Sequence, residues 1–87
     1  MTDWSYVVQK PAVRYLKRIS KENQKRIVDA LDGLIADPTN ADVKPLKGRP
    51  ELRLRVGAYR VFFRVDKENK RFVITQIGPR GDVYKKA

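Results

Sequence analysis

Neither cysteine nor histidine occurs in this sequence, and the two absences remove a large part of enzyme chemistry. Without cysteine there is no disulfide framework and no thiolate metal site. Without histidine there is no His-ligated zinc, no Ser-His-Asp triad and no imidazole general base. Long apolar runs are missing too. No stretch reaches the about 20 residues of a membrane span, and the opening Met1-Thr2-Asp3-Trp4 lacks a basic segment leading into an apolar one. These features predict a soluble, cytoplasmic protein with no metal and no membrane contact. At 87 residues the chain is expected to form one domain over 1–87 with a modest core. With nothing to staple it, that core must come from well-packed elements or from a partner.

Acidic residues are scarce in one half only. Lys and Arg number 20 against 10 Asp and Glu, a net charge of +10. Residues 1–43 hold 7 basic and 6 acidic side chains, whereas residues 44–87 hold 13 and 4. A near-neutral half joined to a strongly basic one points to a polyanionic partner for the second half. Nucleic acid is the first candidate, an acidic protein the second and an anionic membrane the third.

Trp4–Val8, rich in aromatic and β-branched residues, predicts a short strand. Pro11 suits a first helical position, where its missing N–H costs nothing. Ala12, Tyr15, Leu16 and Ile19 then fall at helical spacing. Ser20 is placed to cap a second helix, whose apolar face is Ile27, Leu31, Leu34 and Ile35 and which ends near Ala36. Asp37-Pro38-Thr39-Asn40 is turn chemistry, and Ala41–Pro50 reads as a loop. Three strands follow at Leu52–Val56, Tyr59–Val65 and Phe72–Ile77. Gly57-Ala58 forms a tight hairpin link, Asp66–Lys70 a longer one, and Gly78-Pro79 stops the last strand. The order β-α-α-β-β-β predicts an α+β domain: an N-terminal strand and helical hairpin packed on a C-terminal antiparallel sheet.

The hairpin at Gly57-Ala58 fixes which side chains share a face. It pairs Val56 with Tyr59, Arg55 with Arg60, Leu54 with Val61 and Arg53 with Phe62. Leu52, Leu54, Val56, Tyr59, Val61, Phe63 and Val65 then form the core face. Arg53, Arg55, Arg60, Phe62 and Arg64 form the other. Like charges directly opposite each other cost up to about 1 kcal/mol per pair, and a phosphate would offset that cost. Guanidinium forks match phosphate oxygens and stay charged at physiological pH. The bland reading is a solvated face on which Arg stems cover apolar surface; the facing pair favours phosphate. The run Gly78–Ala87 adds Arg80 and Tyr84. A tyrosine beside arginines has its phenolate favoured, which suits acid–base work. Taken on its own, though, Tyr84 reads as a ring packed on the domain with its hydroxyl in water.

Leu46-Lys47-Gly48-Arg49-Pro50, Leu52-Arg53-Leu54-Arg55-Val56-Gly57-Ala58-Tyr59-Arg60-Val61 and Ile77-Gly78-Pro79-Arg80-Gly81-Asp82-Val83-Tyr84 together resemble the RelE-like branch of the RelE/ParE toxin superfamily. The resemblance covers most of the chain. It implies the toxin of a type II toxin–antitoxin system: a metal-independent, ribosome-dependent mRNA endonuclease (mRNA interferase) that needs no cofactor and inhibits translation. The ribose 2′-hydroxyl attacks its own 3′-phosphate. Arg60 matches the arginine on the scissile phosphate, Arg80 the one that stabilises transition-state charge, and Tyr84 the tyrosine that orients or activates the 2′-hydroxyl. Arg53 occupies a further catalytic position, and Lys47, Arg49, Arg55, Arg64 and Lys85 are candidate RNA-binding cations. The implied partners are an acidic, RelB-like antitoxin, mRNA and the ribosomal A site. Two positions depart from the pattern: Glu51 stands where many relatives carry a basic residue, and Pro79 where many carry His. Glu51 is a candidate base if arginines hold it near RNA, or, more plainly, a loop-edge carboxylate paired with Arg49 or Arg53. The departures keep open a ParE-like inhibitor of DNA gyrase without nuclease activity.

Overall fold

The computed structural model describes residues 3–79. The elements run β1 (Ser5–Val8), α1 (Lys10–Arg18), α2 (Lys21–Ala36), a 3-10 turn (Pro38–Asn40), β2 (Val43–Pro45), β3 (Leu52–Val56), β4 (Tyr59–Asp66) and β5 (Arg71–Pro79). One sheet holds all five strands in the order β1-β5-β4-β3-β2, with β1 parallel to β5 and the other pairs antiparallel. The α+β arrangement is the expected one, and the N-terminal strand joins the sheet as an edge.

Local chemistry sets the helix ends. Pro11 falls in the first turn of α1, one residue after its start at Lys10, where no N–H is needed. Ser20 caps α2, its Oγ accepting from the Asn23 N–H at 3.3 Å. Ile27, Leu31 and Leu34 on α2 are buried and pack with Ala12 of α1 against Leu54, Val61, Phe63, Phe72, Ile74 and Ile77 of the sheet. Phe63 and Phe72 meet edge to face at 5.4 Å, and Trp4 stacks on Phe72 at 5.0 Å. The Tyr6 hydroxyl donates to Asp32 Oδ1 at 3.2 Å, tying β1 to α2. Burial, reinforced by the Asp32 carboxylate, raises that phenol above its ordinary value.

Three features differ from the sequence-based expectation. Val43–Pro45, expected within a loop, pairs antiparallel with Leu52–Leu54. Pro45 is tolerated because β2 is an edge strand with one row of backbone groups facing away from the sheet. The last strand runs on through Gly78-Pro79, with Gly78 opposite Arg60 and Pro79 opposite Tyr59. The parallel partner β1 reaches only as far as Ile74; beyond it β5 has no strand on that edge among the described residues, and proline again fits. Finally, β5 is bulged. Phe62 pairs with Gln76 but Phe63 pairs with Ile74, which leaves Thr75 as an extra residue.

The hairpins follow the expected chemistry. Gly57 has φ +56 while Ala58 stays at negative φ, the pattern of a type II′ turn. In the β4–β5 loop, Lys70 adopts φ +50, and Asp66 holds the turn. Its carboxylate accepts from Asn69 Nδ2 at 2.9 Å, Asn69 N at 3.3 Å and Arg71 Nε at 3.2 Å. The Asn69 side-chain bond, opposed by partial desolvation and aided by the Asn69 N–H and Arg71, lowers the Asp66 pKa. A lowered folded value makes its contribution complete above the unfolded value of about 3.9 and lost as pH falls through the folded one. Asp66→Ala should therefore melt below the parent at neutral pH, and the two melting temperatures should converge as pH drops below about 4. A gap independent of pH would assign the effect to backbone geometry instead.

Candidate nucleic-acid interface

The face of the sheet turned away from the helices carries the predicted cations. Cross-strand register assembles them into rows: Arg55 faces Arg60, and Arg60 faces Gly78. One row along, Lys44, Arg53, Phe62 and Gln76 lie side by side across four strands. Arg53, Arg55 and Arg60 are half-buried, and Lys44 and Arg64 are exposed. Lys47 and Arg49 are exposed on the β2–β3 turn, where Gly48 takes φ +75 and the Arg49 N–H bonds the Leu46 carbonyl at 3.3 Å. The strip of Arg53 and Arg55 along β3 spans about 7 Å at strand rise. Arg64 pairs across from Val73 on the same face.

This face differs from a simple solvated one. Phe62 is only 2% exposed and Val73 only 6%, although neither belongs to the core beneath the helices. The arginines therefore stand around an apolar floor. Among the described residues, Nε of Arg53 is buried and meets no hydrogen-bond acceptor, and Nε and Nη1 of Arg60 are also shielded from water. A shielded guanidinium interacts with an anion more strongly than a hydrated one, because the local dielectric is lower.

Glu51 is not where the plain expectation put it. Among the described residues it forms no ion pair with Arg49 or Arg53; its Oε2 accepts a hydrogen bond from Thr75 Oγ1 at 2.8 Å. The bulge is the cause, since it sets Thr75 out of the regular ladder, with the same hydroxyl 3.2 Å from the Phe62 carbonyl. Glu51 is thus fixed at the end of the arginine strip by its neighbour two strands away. Lys44, Thr75 and Gln76 join this face without having been singled out from sequence. The signal for Thr75 was legible in the three-residue spacing from Ile74 to Ile77, both buried, where a regular strand requires two. Arg80, Tyr84 and Lys85 lie outside the described residues.

The facing arginines make a direct prediction. Arg55→Ala should weaken RNA association and flatten its salt dependence by about 1 in log–log slope. Its melting temperature should stay level or rise, because cross-strand repulsion is relieved. A parent-like salt slope in a filter-binding titration would remove Arg55 from the interface.

Residues 6–84 match the family model described as the ParE toxin of type II toxin-antitoxin system, parDE. Solved toxin structures share the fold. A chain in the archaeal RelE-RelB complex from Pyrococcus horikoshii OT3 is 30% identical, with a TM-score of 0.76, over 94% of this chain and 99% of that one. A chain of the RelBE2 toxin-antitoxin complex from Mycobacterium tuberculosis is 24% identical, with a TM-score of 0.77, over 87% and 96%. The isolated E. coli RelE toxin is 17% identical, with a TM-score of 0.72, over 93% and 90%. No curated protein matches the sequence. The chain belongs to the ParE toxin family of type II toxin–antitoxin systems, within the RelE/ParE superfamily. No helix among the described residues is long and apolar enough to cross a membrane.

Proposed function

We propose that this toxin is a ribosome-dependent endoribonuclease that cuts mRNA and so stops translation. The observation that carries the reading is the arginine row: Arg55 opposite Arg60, with Arg53 alongside and its buried Nε without an acceptor among the described residues. A phosphodiester in this row offsets the cross-strand repulsion and satisfies that donor. In the reaction the 2′-oxygen attacks the adjacent phosphorus, the bond to the 5′-oxygen breaks, and negative charge builds on the phosphoryl oxygens. Arg60 sits on the scissile phosphate, Arg53 beside it, and Arg80 adds charge stabilisation. Tyr84 orients or activates the 2′-hydroxyl. Lys47, Arg49, Arg55, Arg64 and Lys85 hold the flanking backbone. The same positive face suits an acidic, RelB-like antitoxin whose disordered segment folds on binding. Ribosomes as the target place the activity in the cytoplasm.

A second reading, inhibition of DNA gyrase, is favoured by the ParE description of the matching family and by Glu51 and Pro79 at positions where RelE-like toxins carry other residues. Primer-extension mapping of cellular mRNA after brief induction separates the two. Cuts within codons are expected here; intact mRNA with DNA damage would establish the gyrase reading.

A further inference from the structure

We propose that helix α1 and the part of β5 beyond β1 form a second RNA-binding surface, which grips the backbone of base-paired RNA next to the single strand held on the sheet face. It rests on the RNA-directed reading above and adds a contact that the arginine row does not supply.

On α1, Lys10, Arg14, Lys17 and Arg18 project within one arc of about 100°, given 100° of helical turn per residue. Ala12 and the half-buried Tyr15 and Leu16 lie away from that arc, toward the core. No acidic residue occurs in α1, and all four cations are exposed. Among the described residues the ion pairs are Arg26–Glu22, Lys70–Asp3 and Arg71–Asp66, so none of the four is neutralised by a carboxylate. Four adjacent like charges on a nine-residue helix repel one another. The helix C-terminus offsets this for Lys17 and Arg18 only.

The stripe borders a groove. Arg14, Tyr15 and Arg18 form one wall, and Thr75, Gln76 and Ile77 form the other, around a volume of about 360 Å³. This is the part of β5 beyond the reach of β1, next to the bulge. Gln76 is exposed there and lies across from Phe62, which pairs in turn with Arg53. The groove therefore continues the arginine row around the edge of the sheet.

The chemistry of the stripe selects its partner. A protein interface needs apolar anchors at its centre, and the exposed residues of α1 are Lys10, Pro11, Arg14, Lys17 and Arg18. Unpaired bases need exposed rings to stack on, and the groove's one ring, Tyr15, is turned edge-on to Tyr59 at 6.1 Å. What remains is contact with backbone phosphates alone, the way proteins read duplex RNA by shape.

The test uses the whole toxin and a labelled RNA hairpin with a 16-base-pair stem. Arg14→Ala/Arg18→Ala should bind the stem about tenfold more weakly at 100 mM salt, with a log–log salt slope shallower by about 1.8 for two lost contacts. Arg14→Lys/Arg18→Lys should keep the slope. An unaltered slope in the alanine variant overturns the proposal, as does weakened antitoxin binding with stem affinity intact, or a parent that does not bind the stem even at low salt. Should the parent bind the stem in this charge-dependent way yet cut no mRNA, the nuclease reading fails and the second RNA surface stands.

Discussion

Arg60→Ala is expected to lower the single-turnover rate of mRNA cleavage on programmed ribosomes by about 10²–10³-fold, the usual effect of removing one preorganised charge donor from a developing oxyanion. Several observations concentrate the effect on this residue. Arg60 lies between Arg55 and Gly78 in the row that crosses β3, β4 and β5. Its Nε and Nη1 are shielded from solvent, so its charge acts through a lower dielectric than that of the exposed Arg64 or Lys44. It also sits on β4, the central strand of the sheet, which fixes its backbone more tightly than a loop would. Arg60→Lys keeps the charge and loses the planar fork, and should recover only part of the rate. Ribosome affinity should fall as well, with a slope shallower by about 1. An Arg60→Ala toxin that cuts at the parent rate would place the scissile phosphate elsewhere.

Tyr84→Phe separates chemistry from binding. Phenylalanine keeps the ring and removes one oxygen. The family match extends through residue 84, and the resemblance gives this tyrosine the 2′-hydroxyl. If that oxygen acts in the transition state, the single-turnover rate drops by about a hundredfold or more, while ribosome affinity holds, because the loss is confined to the transition state. The assay is a rapid-quench series with toxin in excess over programmed ribosomes. A parent-like rate would make Tyr84 structural and move the search for the base to Glu51, the carboxylate that Thr75 holds at the end of the arginine strip, or to the ribosome.

The antiparallel core of this fold was legible because period and turn chemistry agree there. Gly57-Ala58 sets the register, alternation sets the faces, and the resulting pairs from Val56–Tyr59 to Arg53–Phe62 are those observed. The helices were legible from Ser20 and from the spacing of Ile27, Leu31 and Leu34. The edges of the sheet were not. A three-residue strand such as Val43–Pro45 is too short to show a period, and its pairing with β3 is a tertiary choice. Gly78-Pro79 carries a breaker signature that its place beyond β1 overrides. At the interface, the arginine row followed from alternation, whereas the Glu51–Thr75 bond depended on a bulge whose trace in sequence is the break in alternation between Ile74 and Ile77. The burial of Phe62 and the groove beside Arg14 depend on how the layers sit against each other, which no single segment encodes.

The parallel pairing of β1 with β5 also has a consequence for synthesis. Ser5 meets Arg71 and Val8 meets Ile74, so β1 must wait for β5, which is made after both helices and the other three strands. Contacts this distant along the chain are slow to form, because the loop-closure entropy falls due before the pairing rewards it. Arg60, on β4, likewise lacks its Gly78 neighbour until β5 arrives. A nascent chain thus carries Arg53, Arg55 and Arg60 before it carries the β5 residues that complete their face. Until β5 is in place, the Arg55–Arg60 row lacks its third strand and β4 has an unpaired edge on the side that β5 later takes.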